Sequence, residues 1–374
     1  MTRGIEIAGV AMTPFGRFDD RTVIDLGVEA VRAALREAGD PAFGAAFCGT
    51  AYSGVAAGHR VLGRLGRTGM PIIDVEAGCA SGAAALSMAS GSIASGEVDC
   101  VLVFGMEKMP KGMIRSSFFE PWQEQAGLTP APAYFALRAQ RLMRERGVTK
   151  DDFAAVVVKN RANGARNDLA MFQKEVTADE VLASRVVCEP LHLWMLCSPN
   201  EGAAAVVLRR GDGGVQLRAA SVSSHVPGSV LAESTPLAGI VDDDAIPAPT
   251  AIAALTAYET SGVAPEDIDV VECQDTDAAR ELLAYEELSL CAPGEQAKLV
   301  ADGAVAIGGK QPVNPSGGLL SKGEPLGASG VGQVVELVRQ LRGEAGSRQV
   351  AGARVGLAHT IGRGANASVV IVTR

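Results

Sequence analysis

The sequence predicts an α/β chain built from two similar βα halves. Three observations carry this reading: short apolar runs alternate with amphipathic helical stretches, the same order recurs later in the chain, and a polar, breaker-rich segment is inserted before the first half closes. IEIAGVAM, residues 5–12, reads as the opening strand. VIDLGVEAVRAALREAG repeats apolar residues at helical spacing and stops at Gly39. An Ala/Ser/Gly-rich helix begins near Ser81, and VDCVLVFGME follows as a buried strand.

The second half repeats the sequence of elements. GVQLRAASVS is a strand, TAIAALTAYETSG a helix closed by Gly262, IDVVECQD a strand and GVGQVVELVRQLRG a helix. RVGLAHTIG and NASVVIVT form a closing pair of strands. Between about 107 and 190 the chain is more polar, more helical and richer in breakers, as an inserted cap would be. The first half, with this insertion, is then residues 1–210, and the second half is residues 211–374.

Composition excludes several classes of function. The 374 residues are 47% hydrophobic, enough for roughly two domains with substantial cores. Net charge is −9, from 34 basic and 43 acidic residues, without the basic runs or interleaved aromatics of a nucleic-acid binder. The first residues, MTRGIEIAGVAMTPFG, hold a short strand-like run, and no segment approaches about 18 apolar residues. Neither secretion nor membrane spanning is expected. Seven scattered cysteines without CxxC spacing fit a reducing cytoplasm better than a disulfide framework or a zinc site.

Two stretches carry chemistry. In EAGCASGAAAL, Cys79 stands in a glycine-flanked turn that runs into a helix, where unpaired N–H groups and the positive end of the dipole favour thiolate. That is the setting of a nucleophile. The other six cysteines, Cys197 among them, stand in apolar or unpatterned contexts and read as filler. In GEPLGASG, residues 323–330, Glu324 is a lone carboxylate at a tight glycine-flanked turn, either solvated or chemically employed. GAVAIGGK lacks phosphate-loop spacing, since Gln311 follows Lys310.

Taken together, EAGCASGAAAL, VVVKNRANGARN, VLASRVVCEPLHLWMLCSPNEGAAAVVL, VVECQD, NPSGGLLSKGEPLGASG and HTIGRGANASVVIV resemble the ordered landmarks of the thiolase superfamily, closest to its SCP-2-like branch. The likeness runs from about residue 5 to the end. It implies a five-layered αβαβα core under an inserted loop domain, and a reaction that makes or breaks a carbon–carbon bond beside a thioester carbonyl, with acyl transfer through Cys79. It also implies an oxyanion hole from the N–H groups of Cys79 and Gly362.

The family turn reads GHPxGxxG, and Glu324 replaces its histidine. A glutamate that holds a proton through burial would donate to the thioester oxygen and exchange that proton with Cys79, giving a shared-proton pair. The strand-end tetrad departs as well: Gln274-Asp275-Thr276-Asp277 lacks the second cysteine of the SCP-2 branch, and Gln274 is left to position a water. His359, in the terminal landmark, is the remaining candidate for proton transfer, against a structural role at a strand end.

The resemblance further implies coenzyme A as co-substrate with no tightly bound cofactor and no metal, and a homodimer. A small zinc-containing OB-fold partner protein is known in the branch. Lys108, Lys111, Arg138, Arg141, Arg161 and Arg166 are the cap cations offered to CoA. The competing readings are a non-catalytic thiolase-fold subunit and a retro-aldolase acting on an acyl-CoA.

Overall fold

The computed structural model describes residues 4–112, 121–127, 130–224, 226, 246–362 and 366–374. Part of the insertion and Arg363 to Ala365 of the terminal landmark lie outside the described residues. In chain order the first elements are β1 (Ile5–Met12), α1 (Val23–Glu37), β2 (Ala45–Gly49), α2 (Ala57–Arg64), β3 (Ile72–Val75), α3 (Ser81–Ala94) and β4 (Cys100–Lys108). The insertion holds α4 (Pro121–Gln125), α5 (Ala131–Arg146), α6 (Lys150–Gly164), α7 (Ala178–Ala183), β5 (Val186–Cys188) and β6 (Leu191–His192), and β7 (Glu201–Arg210) closes the first half. Then follow β8 (Val215–Ser223), α8 (Pro249–Ser261), β9 (Val270–Cys273), α9 (Ala278–Glu287), α10 (Gln296–Ala301), α11 (Gly318–Lys322), α12 (Leu326–Arg342), β10 (Val355–Ile361) and β11 (Ala367–Thr373).

Local chemistry sets several of these boundaries. Thr22 accepts the Asp25 N–H while the Asp25 carboxylate accepts the Thr22 N–H, a reciprocal cap that starts α1. Thr149 and Asp152 start α6 in the same way. Such a cap stabilises a helix by about 1 kcal/mol. In β7, GAAAVVL is buried on both faces, which is why its apolar run does not alternate.

The repeat is visible in strand order. Among the described residues the first half runs β3-β2-β4-β7-β1, parallel from β3 through β4 and antiparallel thereafter. The second half runs β9-β10-β11-β8 with the same polarity, and a parallel bridge from Val271 to Val313 marks the place of its missing outer strand. The two halves meet where β1 pairs antiparallel with β8, Glu6 opposite Gln216, so one sheet passes through both.

Three large apolar cores lie between the layers among the described residues. Helices α1 and α2 cover the outer face of the first half through Leu26, Val31, Val61 and Phe104. Helices α3 and α12 lie inside, where Leu86 and Ile93 meet Val334 and Leu337 between strands of both halves. Helices α8 and α9 cover the second half, and Phe153 and Val157 of the insertion join that same core. Each fully buried aliphatic side chain contributes about 1.5–3 kcal/mol.

Candidate active site

Cys79 stands in a 3₁₀ turn, Gly78–Ala80, that runs directly into α3. Ser81 fixes this turn: its hydroxyl donates to the Gly78 carbonyl at 2.6 Å and accepts the Ala77 N–H at 2.9 Å. The thiol is buried against Met109 and Leu326. Leu326 opens α12, so the two inner helices start side by side at the site.

Glu324 comes to the same place from the other half. Cys79 and Glu324 both line one cavity of about 560 Å³, walled chiefly by apolar residues such as Phe135, Phe172, Trp194 and Leu196. The turn that presents Glu324 is held from several sides. Gly323 has φ +84°, and a Cβ there would overlap the Asn200 amide, so only glycine fits. Asn200 Nδ2 donates to the Lys322 carbonyl at 2.7 Å, and the buried Lys322 ammonium pairs with Glu272 of β9 at 3.5 Å.

The Glu324 carboxylate accepts at both oxygens. Gln274 Nε2 donates to Oε1 at 2.8 Å, and the Cys197 thiol donates to Oε2 at 3.3 Å. The orientation of the Gln274 amide is determined, because its Oε1 accepts the Ile361 N–H at 2.6 Å and its NH₂ must then face Glu324. Gln274 is therefore occupied at both ends, and its role is to orient the carboxylate rather than a water. Two donors suit the ionised acid.

Cys197 is the residue that sequence reasoning missed. It lines the cavity, and burial together with the Glu324 charge raises its thiol far above the ordinary range, so it remains protonated. Its segment is laced between two landmarks. The Cys197 N–H donates to the Thr276 carbonyl at 2.9 Å, and the Glu324 N–H donates to the Ser198 carbonyl at 2.9 Å. No local pattern announced this, since the groups that give Cys197 its role lie far away in sequence.

The rest of the tetrad builds the frame. The Asp275 carboxylate accepts the N–H groups of Leu319 and Leu320 at the start of α11, and Asp277 caps α9 and pairs with the buried Arg138. Thr276 alone of these three reaches the cavity.

Two expected site residues are placed differently. His359 is wholly buried behind the sheet, its Nε2 3.0 Å from the Thr250 hydroxyl, and it does not line the cavity. Burial pushes its proton affinity well below the usual histidine range, which favours the neutral ring in this position away from the cavity. Gly362 does pack on the nucleophile turn, close enough that a Cβ would overlap the Ala77 carbonyl. Its N–H, however, donates to the Asn366 carbonyl at 2.8 Å, joining the ends of β10 and β11.

Of the six cations offered to CoA, Arg161 alone lines the cavity. Lys108 is held by the Phe18 and Arg21 carbonyls and by Glu201, Lys111 by Asp19, and Arg141 by Glu145. Arg138 is neutralised by Asp277, and Arg166 points outward. Among the described residues no group of three or more His, Cys, Asp or Glu side chains is arranged to hold a metal ion. No described helix is long and apolar enough to cross a membrane.

Comparison with known proteins identifies the family and the fold. The family model for the thiolase N-terminal domain matches residues 5–212, and the thiolase C-terminal domain-like model matches residues 235–374. Sterol carrier protein 2 of Bos taurus is 39% identical over 394 residues, covering 98% of this chain and 71% of the relative. An acetyl-CoA acetyltransferase of Methanothermobacter thermautotrophicus is 38% identical over the full length of both chains. Among solved structures, one described as the Ltp2-ChsH2(DUF35) aldolase superposes with a TM-score of 0.86 at 26% identity, covering 99% of this chain and 97% of its own.

Proposed function

This chain belongs to the thiolase family, and from that premise we propose that it makes or breaks the carbon–carbon bond of a β-oxoacyl-CoA through an acyl group carried on Cys79. The observation that carries the reading is one apolar cavity on which a helix-start cysteine, a carboxylate and a protonated thiol converge. In the cleaving direction the Cys79 sulfur attacks the β-carbonyl and its proton passes to Glu324. The carbon–carbon bond then breaks, and the departing carbanion takes the proton of Cys197. Glu324, bonded to Cys197, returns a proton to it. CoA thiol finally takes the acyl group from Cys79, and its proton returns to the released Cys79 sulfur. Splitting one exchange into two acyl transfers is the advantage of a covalent nucleophile.

In this scheme Cys197 replaces the acid/base cysteine absent from Gln274-Asp275-Thr276-Asp277. Its burial supports the donor role, because a thiol far above its ordinary range is loaded with its proton at neutral pH. Coenzyme A is the co-substrate, no cofactor is tightly held, the working unit is a cytoplasmic homodimer, and a second, smaller subunit completes it. The Ltp2-ChsH2(DUF35) pairing in the structural neighbour supports that last element.

The test is acyl loading. Incubation with short acyl-CoAs should add acyl mass to the tryptic peptide containing Cys79, and Cys79→Ser should remove that signal. A protein that turns over an acyl-CoA without ever carrying acyl mass is not acting through Cys79. A retro-aldolase is the second reading. It is favoured by the hydrogen-bonded Glu324 carboxylate, which suits removal of a β-hydroxyl proton, and by the neighbour described as an aldolase. Release of an aldehyde or ketone from a β-hydroxyacyl-CoA, surviving Cys79→Ser, would select it.

A further inference from the structure

Arg161 is the buried cation of a cavity walled chiefly by apolar residues. Its side chain is 7% exposed, and its guanidinium lies 4.1 Å from the centre of the Phe172 ring, stacked on the face. No carboxylate among the described residues pairs with it, and its buried Nε has no hydrogen-bond partner there. Burial lowers its proton affinity only to about 10, so it stays charged at neutral pH. A desolvated cation supported only by an aromatic face is costly unless an anion completes it.

We propose that Arg161 anchors a carboxylate-recognising subsite, so that the acyl group of the substrate carries a free carboxylate in addition to its thioester. This rests on the acyl-CoA reading of the cavity. A single buried guanidinium matches a monoanion, leaving a neutral pair in apolar surroundings, and its fork fits both carboxylate oxygens. The phosphates of CoA are a poorer match. They carry more than one negative charge, are strongly hydrated, and are separated from the thioester by the whole pantetheine arm. Arg185, which lines the same cavity but is exposed, offers them a wetter contact. Glu324 in the same cavity repels a second carboxylate, which sets the orientation: thioester toward Cys79, acid toward Arg161.

The experiment measures dissociation constants by calorimetry on the Cys79→Ala protein, in which acylation is blocked. Succinyl-, glutaryl- and adipyl-CoA are compared with butyryl-, valeryl- and hexanoyl-CoA, each pair equal in length and differing in the terminal carboxylate. At one or more lengths the acid should bind at least about tenfold more tightly, the size of one charge-assisted contact. Arg161→Met should erase that difference, and Arg161→Lys should keep part of it. Equal or tighter binding of the methyl-terminated ligand at all three lengths overturns the proposal, and that comparison needs no Arg161 variant to fold. Equal weakening of both series by Arg161→Met also overturns it, placing the arginine on CoA itself. Acyl loading of native Cys79 separates the two ideas. Loading without carboxylate preference removes this proposal and leaves the acyl-cysteine reading intact, whereas preference without loading does the reverse.

Discussion

Gly323→Ala tests how the acid is held. The residue sits at φ +84° and ψ 174°, a region almost confined to glycine, so an added Cβ costs about 1–3 kcal/mol in backbone strain. The same Cβ overlaps the buried Asn200 amide and comes within 2.9 Å of the Ser198 carbonyl. To escape, Asn200 must give up its 2.7 Å bond to the Lys322 carbonyl, and an orphaned buried amide costs about 1–3 kcal/mol more. The sum, about 2–6 kcal/mol, is a large part of the roughly 5–15 kcal/mol that holds a typical domain. Urea unfolding followed by circular dichroism should show the midpoint falling with little change in slope. Acyl loading at Cys79 should fall as well, because Glu324 is the next residue. A variant that unfolds within about 1 kcal/mol of the parent and loads acyl at the native rate would refute the account of this turn.

Other outcomes follow from the same geometry. Glu324→Gln should slow acyl loading by about 10²–10⁴-fold, the usual range for a positioned proton carrier, in stopped-flow or quenched mass measurements; a native rate removes Glu324 from the chemistry. Iodoacetamide at mildly alkaline pH should label Cys79 while leaving Cys197 unmodified, because the Cys197 thiol stays protonated; peptide mapping showing preferential label on Cys197 would contradict its placement. His359 makes the fold acid-sensitive. Its folded proton affinity lies below that of the unfolded chain, near about 6.5, so below that pH the unfolded state takes up a proton that the folded state refuses. Stability should decline there by up to about 1.4 kcal/mol per pH unit and be untouched above it. His359→Gln should flatten that decline in urea titrations run across the range, and an unchanged slope would show that the imidazole is not held neutral.

Much of the fold was legible where periodicity is long. The strand at 5–12, the helix from 23, the helix ending at Arg342 and the closing strand pair all follow from apolar spacing, and each is where that spacing put it. Strands β2 and β3 were not marked, since AAFCG and IIDV are too short and too uniform for a period to register. The site divides along a similar line. Cys79 and Glu324 could be picked out because glycine-rich turns mark them locally, whereas Cys197 depends on contacts with residues 276 and 324, which no window of sequence contains. His359 shows the converse: a landmark motif surrounds it, but strand register turns its ring toward α8 instead of the cavity. Gly362, singled out for its N–H, packs against the nucleophile turn while that N–H bonds to the Asn366 carbonyl of the hairpin.

The lacing of Leu196 through Asn200 has a consequence for selectivity. That short length of chain is at once a wall of the pocket and the strap that keeps the acid in place, through Cys197 to Thr276 on one side and Ser198 to Glu324 on the other. On the proposed acyl-transfer reading, an oversized acyl group that wedged against it would disarm the carboxylate even while the ligand remained seated. Size discrimination on this side is therefore expressed as lost turnover more than as lost occupancy.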